Sequence, residues 1–152
     1  MYYLTKSKFN ELEKELLSLS TKGRKEIAER LDEAKSFGDL SENAEYHQAR
    51  DEQGKMESRI KEIEIVLKES EIIKKHKSNQ VEIGVVVVIS KKGSSNEIEY
   101  EIVGKEDADV LNGKIDFHAP LVKAMMGKKE GDAFDFELPN GNIVNYKIIK
   151  IK

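Results

Sequence analysis

Apolar residues along this chain follow two different rhythms, and the change between them falls at residues 74–80, "KKHKSNQ", a polar stretch without periodicity. Before it, apolar positions recur every three or four residues, the spacing of helices that bury one stripe. Thr5 is placed to N-cap the first helix, with Leu4 and Phe9 as a hydrophobic staple across it. Phe9, Leu12, Leu16 and Leu19 start the stripe, "SLSTKGRKE" loosens it, with Gly23 and the hydroxyl residues marking a kink, and Ile27, Leu31 and Ala34 resume it. A second helix carries Tyr46, Ala49, Gln53, Met56, Ile60, Ile63 and Leu67. Paired in reverse order, Leu12 with Leu67 through Leu31 with Ala49 and Ala34 with Tyr46, the two stripes keep a nearly constant sum of residue numbers. That is the condition for an antiparallel hairpin, and it puts the turn at Asp39–Leu40. Arms of about 30 residues, at about 1.5 Å per residue, make a rod of about 45 Å.

After the change the runs are short and β-branched. "EIGVVVVIS" and "EIEYEIVG" predict strands, and "DAFDFELPNGNIVNYKIIKI" predicts a hairpin about a Pro-Asn-Gly turn. "PLVKAMMG" opens on proline and closes on glycine, as a short helix does. The expected fold class is α+β: an antiparallel α-helical coiled-coil hairpin over 1–76, then a small mostly-β domain over 77–152.

Composition narrows the function classes. Charged residues make up 36% and aromatics 7%, with no Trp, which suits exposed helices with a narrow seam better than one large core. The net charge of -3 gives no basic footprint for independent nucleic-acid binding. Without cysteine there is no disulfide, thiolate metal site or cysteine nucleophile. The start has no signal-like apolar run and no stretch is of membrane length, so a cytoplasmic protein is expected.

One segment departs from the mixed charge elsewhere. "FGDLSENAEYHQAR", residues 37–50, gathers Asp39, Glu42 and Glu45 with no Lys or Arg between them. A plain reading makes them a helix start: Gly38 ends the first helix, Asp39 N-caps the second, and Glu42 completes a capping box. A chemical reading makes Asp39 and Glu42 ligands for a hard cation such as Mg²⁺, held by one or two carboxylates, waters and substrate phosphates. Two carboxylates on a bare tip do not finish a coordination shell, so such a site works only inside a pocket that supplies the other ligands.

This segment resembles the tip of the bacterial Gre transcript-cleavage factors, the GreA branch in particular. "RLDEAKSFGDLSENAEYHQARDEQGKMESRIKEIE" is similar to the hairpin of that family, and "YEIVGKEDADVLNGKIDFHAPLVKAMMGKKEGDAFDFELPNG" to its C-terminal domain, so the resemblance covers nearly the whole chain. It implies a coiled coil that enters the secondary channel of RNA polymerase, and an FKBP-like domain that docks at the channel rim. It implies tip acids that help hold the second catalytic Mg²⁺ and orient water, while the polymerase cuts the backtracked RNA. By position these are Asp39 and Glu42, with Glu45 as a third candidate and Ser41 and Asn43 placed to position them. On this reading the chain is a monomer, is not an enzyme alone, binds no cofactor tightly and shares Mg²⁺ with its partner.

Arg30, Lys35, Arg50, Lys55 and Arg59 are either a solvated, salt-bridged face or, in part, a surface toward the extruded RNA; Arg50 is the candidate phosphate contact. An FKBP-like fold invites a prolyl-isomerase reading, but fold does not carry function, and Phe134 and Phe136 alternate as core residues do. Met125 and Met126 read as core. His47, His76 and His118 are scattered and form no metal or triad pattern. Two alternatives to a cleavage factor are a Gre-like channel-binding inhibitor and a coiled-coil chaperone or scaffold. The second has no use for the tip acid.

Overall fold

The computed structural model describes residues 1–39 and 41–152. They form two compact units, Phe9–Ser70 and a second built from Met1–Lys8 with Glu71–Lys152.

The first unit is the hairpin. Helix α1 (Lys6–Ser18) starts with Thr5, whose Oγ1 accepts from the Lys8 amide at 3.2 Å, the predicted cap. A π-helical turn at Leu19–Gly23 separates it from α2 (Arg24–Lys35), and α3 (Ala44–Lys68) returns. The kink lies where the sequence loosened. Ser20 and Thr21 turn their hydroxyls onto the Leu16 and Leu17 carbonyls at 2.7 and 2.6 Å, a back-bonding that bends helices. Gly23 faces Met56 as the predicted register requires: a Cβ there would lie 3.0 Å from the Met56 sulfur.

Ile27, Leu31 and Ala49 cluster with Tyr46 and Met56 packed on them, which fixes the register near the tip. At the far end α3 buries Ile60, Ile63 and Val66, while Leu67, the seam residue expected there, is half-buried. Gln53 is also half-buried, its amide oxygen accepting from Arg50 at 2.7 Å. Three arginines bridge the arms bidentately: Arg24 to Glu57, Arg59 to Glu15, and Arg30 to Glu52. These pairs are exposed and screened, so they align the arms more than they hold them.

The second unit is a five-stranded sheet in the order β5-β4-β3-β7-β6, with a separate two-stranded sheet of β1 (Tyr2–Thr5) and β2 (Ser70–Ile73). Strands β3 (Val86–Lys91) and β4 (Glu97–Val103) pair antiparallel, as do β6 (Ala133–Glu137) and β7 (Ile143–Ile151). β4 also pairs in parallel with β5 (Lys114–Asp116), a three-residue strand the pattern did not announce. β3 is central and its Val87 and Ile89 are fully buried, which is why "VVVVIS" reads as a continuous apolar run. The β6–β7 turn closes with Gly141 donating to the Leu138 carbonyl at 2.8 Å, with Gly141 at φ 82°. Helix α4 (Pro120–Met125) begins on its proline and seats Val122 and Met125 in the core, leaving Met126 38% exposed. Thus only Met125 of the pair is core.

β1 is a correction to the sequence reading, which took the first residues only as a lead-in to a helix. Thr5 donates its amide to Asp107 Oδ2 at 2.8 Å and its hydroxyl to Oδ1 at 2.7 Å, so the nearly buried carboxylate is satisfied by a residue 102 positions away. Tyr3 packs edge-on to Phe117, with ring centroids 5.4 Å apart. Among the described residues no helix is long and apolar enough to cross a membrane.

Candidate functional site at the hairpin tip

The tip is built by one side chain acting on both helices. α2 ends at Lys35, the Ser36 and Phe37 amides return to Glu33 and Ala34 carbonyls, and Gly38 takes φ 118°. α3 starts at Ala44, and its N-cap is Asn43, whose Oδ1 accepts from the Tyr46 amide at 3.0 Å. The Asn43 Nδ2 donates to the Ala34 carbonyl at 2.6 Å. A carboxylate accepts but cannot donate, so an aspartate here could not both cap the Tyr46 amide of one helix and bond the Ala34 carbonyl of the other, as the Asn43 amide does.

The Asp39–Glu42 capping box is therefore overturned. Asp39 lies four residues before the cap and makes an Asx turn: its Oδ1 accepts from the Ser41 amide at 3.0 Å and from the Ser41 hydroxyl at 2.9 Å. Those two bonds hold the Asp39 carboxyl below the usual carboxylate range, the amide contributing most. Among the described residues Oδ2 has no hydrogen-bond partner. The Ser41 carbonyl faces His47 Nε2 at 3.2 Å, so that nitrogen is the protonated one. Leu40 lies outside the described residues. The chain of contacts runs His47 to Ser41 to Asp39, and Ser41 and Asn43 do position the tip, as the motif suggested.

Asp39, Glu42 and Glu45 are all exposed and line one open cleft of about 460 Å³, together with Phe37, Asn43 and Ala44. Glu45 sits in the first turn of α3, where the helix dipole favours acid. For a hard cation the fit is partial and specific. The acids offer carboxylate oxygens on an open side, but among the described residues no three acidic or imidazole groups converge as a metal site. Glu45 also feels the Arg30 guanidinium across the hairpin, with which it lines a second, neighbouring cleft.

The basic residues separate by what they touch. Arg30 and Arg59 are tied to carboxylates across the hairpin, and Lys35 lies 4.0 Å from Asp32. Arg50 bonds only the neutral Gln53 among the described residues, so its charge is uncompensated by a pair. Arg50, Lys55 and Arg59 line a single groove on α3 with Gly54 and Ser58, and with the acids Asp51 and Glu62. The other two histidines do not join the site: His76 is bonded to Glu82, which raises its pKa, and His118 sits against Asp116. In the second unit Phe134 stacks on Tyr146 and Phe136 packs on the core, so these aromatics hold the sheet together.

Ser41→Ala removes one of the two bonds to Asp39 and leaves the larger, the backbone amide. The Asp39 titration midpoint, followed by carboxyl NMR, should rise while remaining below an unperturbed aspartate. A depressed carboxyl pKa keeps the charge down to lower pH, so whatever the charge does is lost earlier on acidification in the variant. An unchanged midpoint would mean the hydroxyl does not hold Asp39.

Residues 2–72 match the family model described as "Transcription elongation factor, N-terminal", and residues 75–152 match "Transcription elongation factor, GreA/GreB, C-term". The chain is 44% identical over 151 residues to "Transcription elongation factor GreA" of Macrococcus caseolyticus, covering 99% of this chain and 96% of that protein. It is 42% identical over 152 residues to the protein of the same name from Staphylococcus saprophyticus, with the same coverage. Among solved structures, the GreA factor homolog 1 protein of Thermus thermophilus aligns over 99% of this chain and 97% of that one, at 24% identity and a TM-score of 0.44.

Proposed function

We propose a function from one premise, that the chain belongs to the GreA/GreB family of transcription elongation factors. It acts on RNA polymerase. Its hairpin enters the secondary channel of the polymerase and brings the tip to the active centre, where the polymerase's own cleavage of a backtracked RNA 3′ end is stimulated. The observation that carries this reading is the tip itself: Asp39 is held by Ser41 through one oxygen, with the other open, beside Glu42 and Glu45 on an exposed turn.

Asp39 Oδ2 and the Glu42 carboxylate would hold a Mg²⁺ ion shared with the polymerase, and Glu45 lines the same cleft. Bound there, the ion would supply Lewis-acid stabilisation and a more acidic water for hydrolysis of the phosphodiester. The chain's own part is to keep the Asp39 carboxyl ionised and fixed in one orientation, and to present the acids on a narrow support. Arg50, which has no carboxylate partner among the described residues, is the residue that contacts an RNA phosphate along the α3 groove. The sheet unit anchors the factor on the polymerase, and the chain alone is not a nuclease. The working parts are 1–76, which carries the tip, and 77–152, which docks; the short β1 strand packs with the docking part.

Adding the chain to a stalled, backtracked elongation complex tests this. It should release short RNA 3′ fragments faster than the polymerase alone, and the shortened RNA should then extend. Occupancy of the polymerase with no fragment release would favour the inhibitor reading instead.

A further inference from the structure

Three aromatic rings lie in the hairpin, and they are treated differently. Phe9 and Tyr46 are half-buried, Tyr46 against the Ile27, Leu31 and Ala49 cluster, but Phe37 is 64% exposed. Its backbone is not loose: the Phe37 amide donates to the Ala34 carbonyl at 3.2 Å, and Asn43 bonds the same carbonyl from the other helix. The ring is thus presented to solvent from a fixed turn, at a cost in apolar exposure that the hairpin does not recover. It forms one wall of the cleft that Asp39, Glu42 and Glu45 also line.

We infer that Phe37 is a stacking platform for an unpaired nucleobase of the RNA 3′ segment, an inference that rests on the function proposed above. The chemistry of the cleft selects this occupant. Its charged side chains are all carboxylates, so they repel a bare phosphate or an acidic peptide. A base is neutral, has an apolar face for the ring, and offers N–H donors that carboxylates accept from, the amine of cytosine, adenine or guanine and the ring N–H of uracil. Stacking is also tolerant of sequence, because every base has a π-face, and that suits a factor that must act wherever the polymerase stalls. With a base held on Phe37, the neighbouring phosphodiester is confined near the acids, whose repulsion the Mg²⁺ proposed above would offset. Phe37 then acts on position, and the acids on charge.

The test uses the full chain, RNA polymerase and a backtracked complex whose RNA ends in 2-aminopurine, whose fluorescence is quenched by stacking. Phe37→Ala, Phe37→Leu and Phe37→Trp are compared with the parent, and binding to RNA-free polymerase is measured for each. Phe37→Ala and Phe37→Leu should both relieve the quenching and slow stimulated cleavage at least about five-fold, the lower end of one lost base stack. Phe37→Trp should keep both, and all should bind RNA-free polymerase equally. Full activity of Phe37→Leu, or weaker binding of Phe37→Ala to RNA-free polymerase, would overturn the inference in favour of an apolar contact with protein. Quenching and cleavage unchanged in Phe37→Ala would overturn it outright. Since quenching reads the contact without cleavage, Phe37-dependent quenching with no fragments from the parent would sink the cleavage reading alone.

Discussion

Asp39→Asn and Glu42→Gln should each bind RNA polymerase like the parent and lose on the order of ten- to a hundred-fold of stimulated cleavage. Losing an outer-shell partner of a metal site costs about 10–100-fold, and losing one of several direct ligands costs at least as much. The substitutions are chosen to leave the fold alone. Asn keeps an oxygen to accept from the Ser41 amide and hydroxyl, and Asp39 is not the α3 cap, a role held by Asn43. Glu42 is exposed and precedes the helix, so its amide form costs no packing. A gel of RNA 3′ fragments gives the rate, and binding is measured separately. Near-parental cleavage by both variants would return the acids to ordinary surface charge.

Gly104→Ala should destabilise the sheet unit by about 2 kcal/mol or more, as overpacking against backbone does. Gly104 has an ordinary φ of -71°, so the cause is space and not conformation. A Cβ there would stand 1.8 Å from the Tyr3 carbonyl oxygen and 2.8 Å from its carbon. Backbone cannot yield as a side-chain tip does, so β1 must move, and the Thr5 bonds to Asp107 go with it. The Thr5 amide should lose hydrogen-exchange protection, while that of Ile102, bonded to the Val85 carbonyl, persists. Gly54→Ala is the matched control with the opposite sign. It lies inside α3 with nothing within 4 Å of the added carbon, and the better helix former should stabilise by about 0.5–1 kcal/mol. Equal effects from the two would refute the close approach of β1.

Much of the fold was legible because the information was local or periodic. The hairpin register followed from two apolar stripes, and Gly23 against Met56 and Leu31 beside Ala49 confirm it in side-chain contacts. The β6–β7 turn and α4 were announced by Pro, Asn and Gly at positions those residues favour. β1 was not legible: "YYLT" is only four residues, its strand partner β2 lies beyond the whole hairpin, and the Asp107 carboxylate that Thr5 bonds is 102 positions away. The β5 strand is shorter still and pairs in parallel, which leaves no hairpin signal.

At the site the local structure around the acids differs from the capping box that the sequence suggests. Asp39, Ser41 and Asn43 can all cap helices, and a spacing rule preferred Asp39 with Glu42. What decides for Asn43 is the Ala34 carbonyl, an acceptor from the other helix that a local rule cannot see. Phe37 lies past Ala34, the last residue of the first stripe, and carries no pattern of its own in the sequence. Its exposure appears only once the cap has fixed where α2 ends.

The central claim is that the tip supplies oxygen ligands to a cation in the polymerase, and the Mg²⁺ dependence of cleavage measures it most directly. Cleavage of one backtracked complex should be followed across a Mg²⁺ series with polymerase alone, with the parent chain and with Asp39→Asn, each at saturating factor. The account predicts that the parent chain moves half-saturation to lower Mg²⁺ and that Asp39→Asn moves it back toward the value for polymerase alone, with high Mg²⁺ recovering part of the lost rate. Identical half-saturation in all three, whatever the maximal rates, would contradict it.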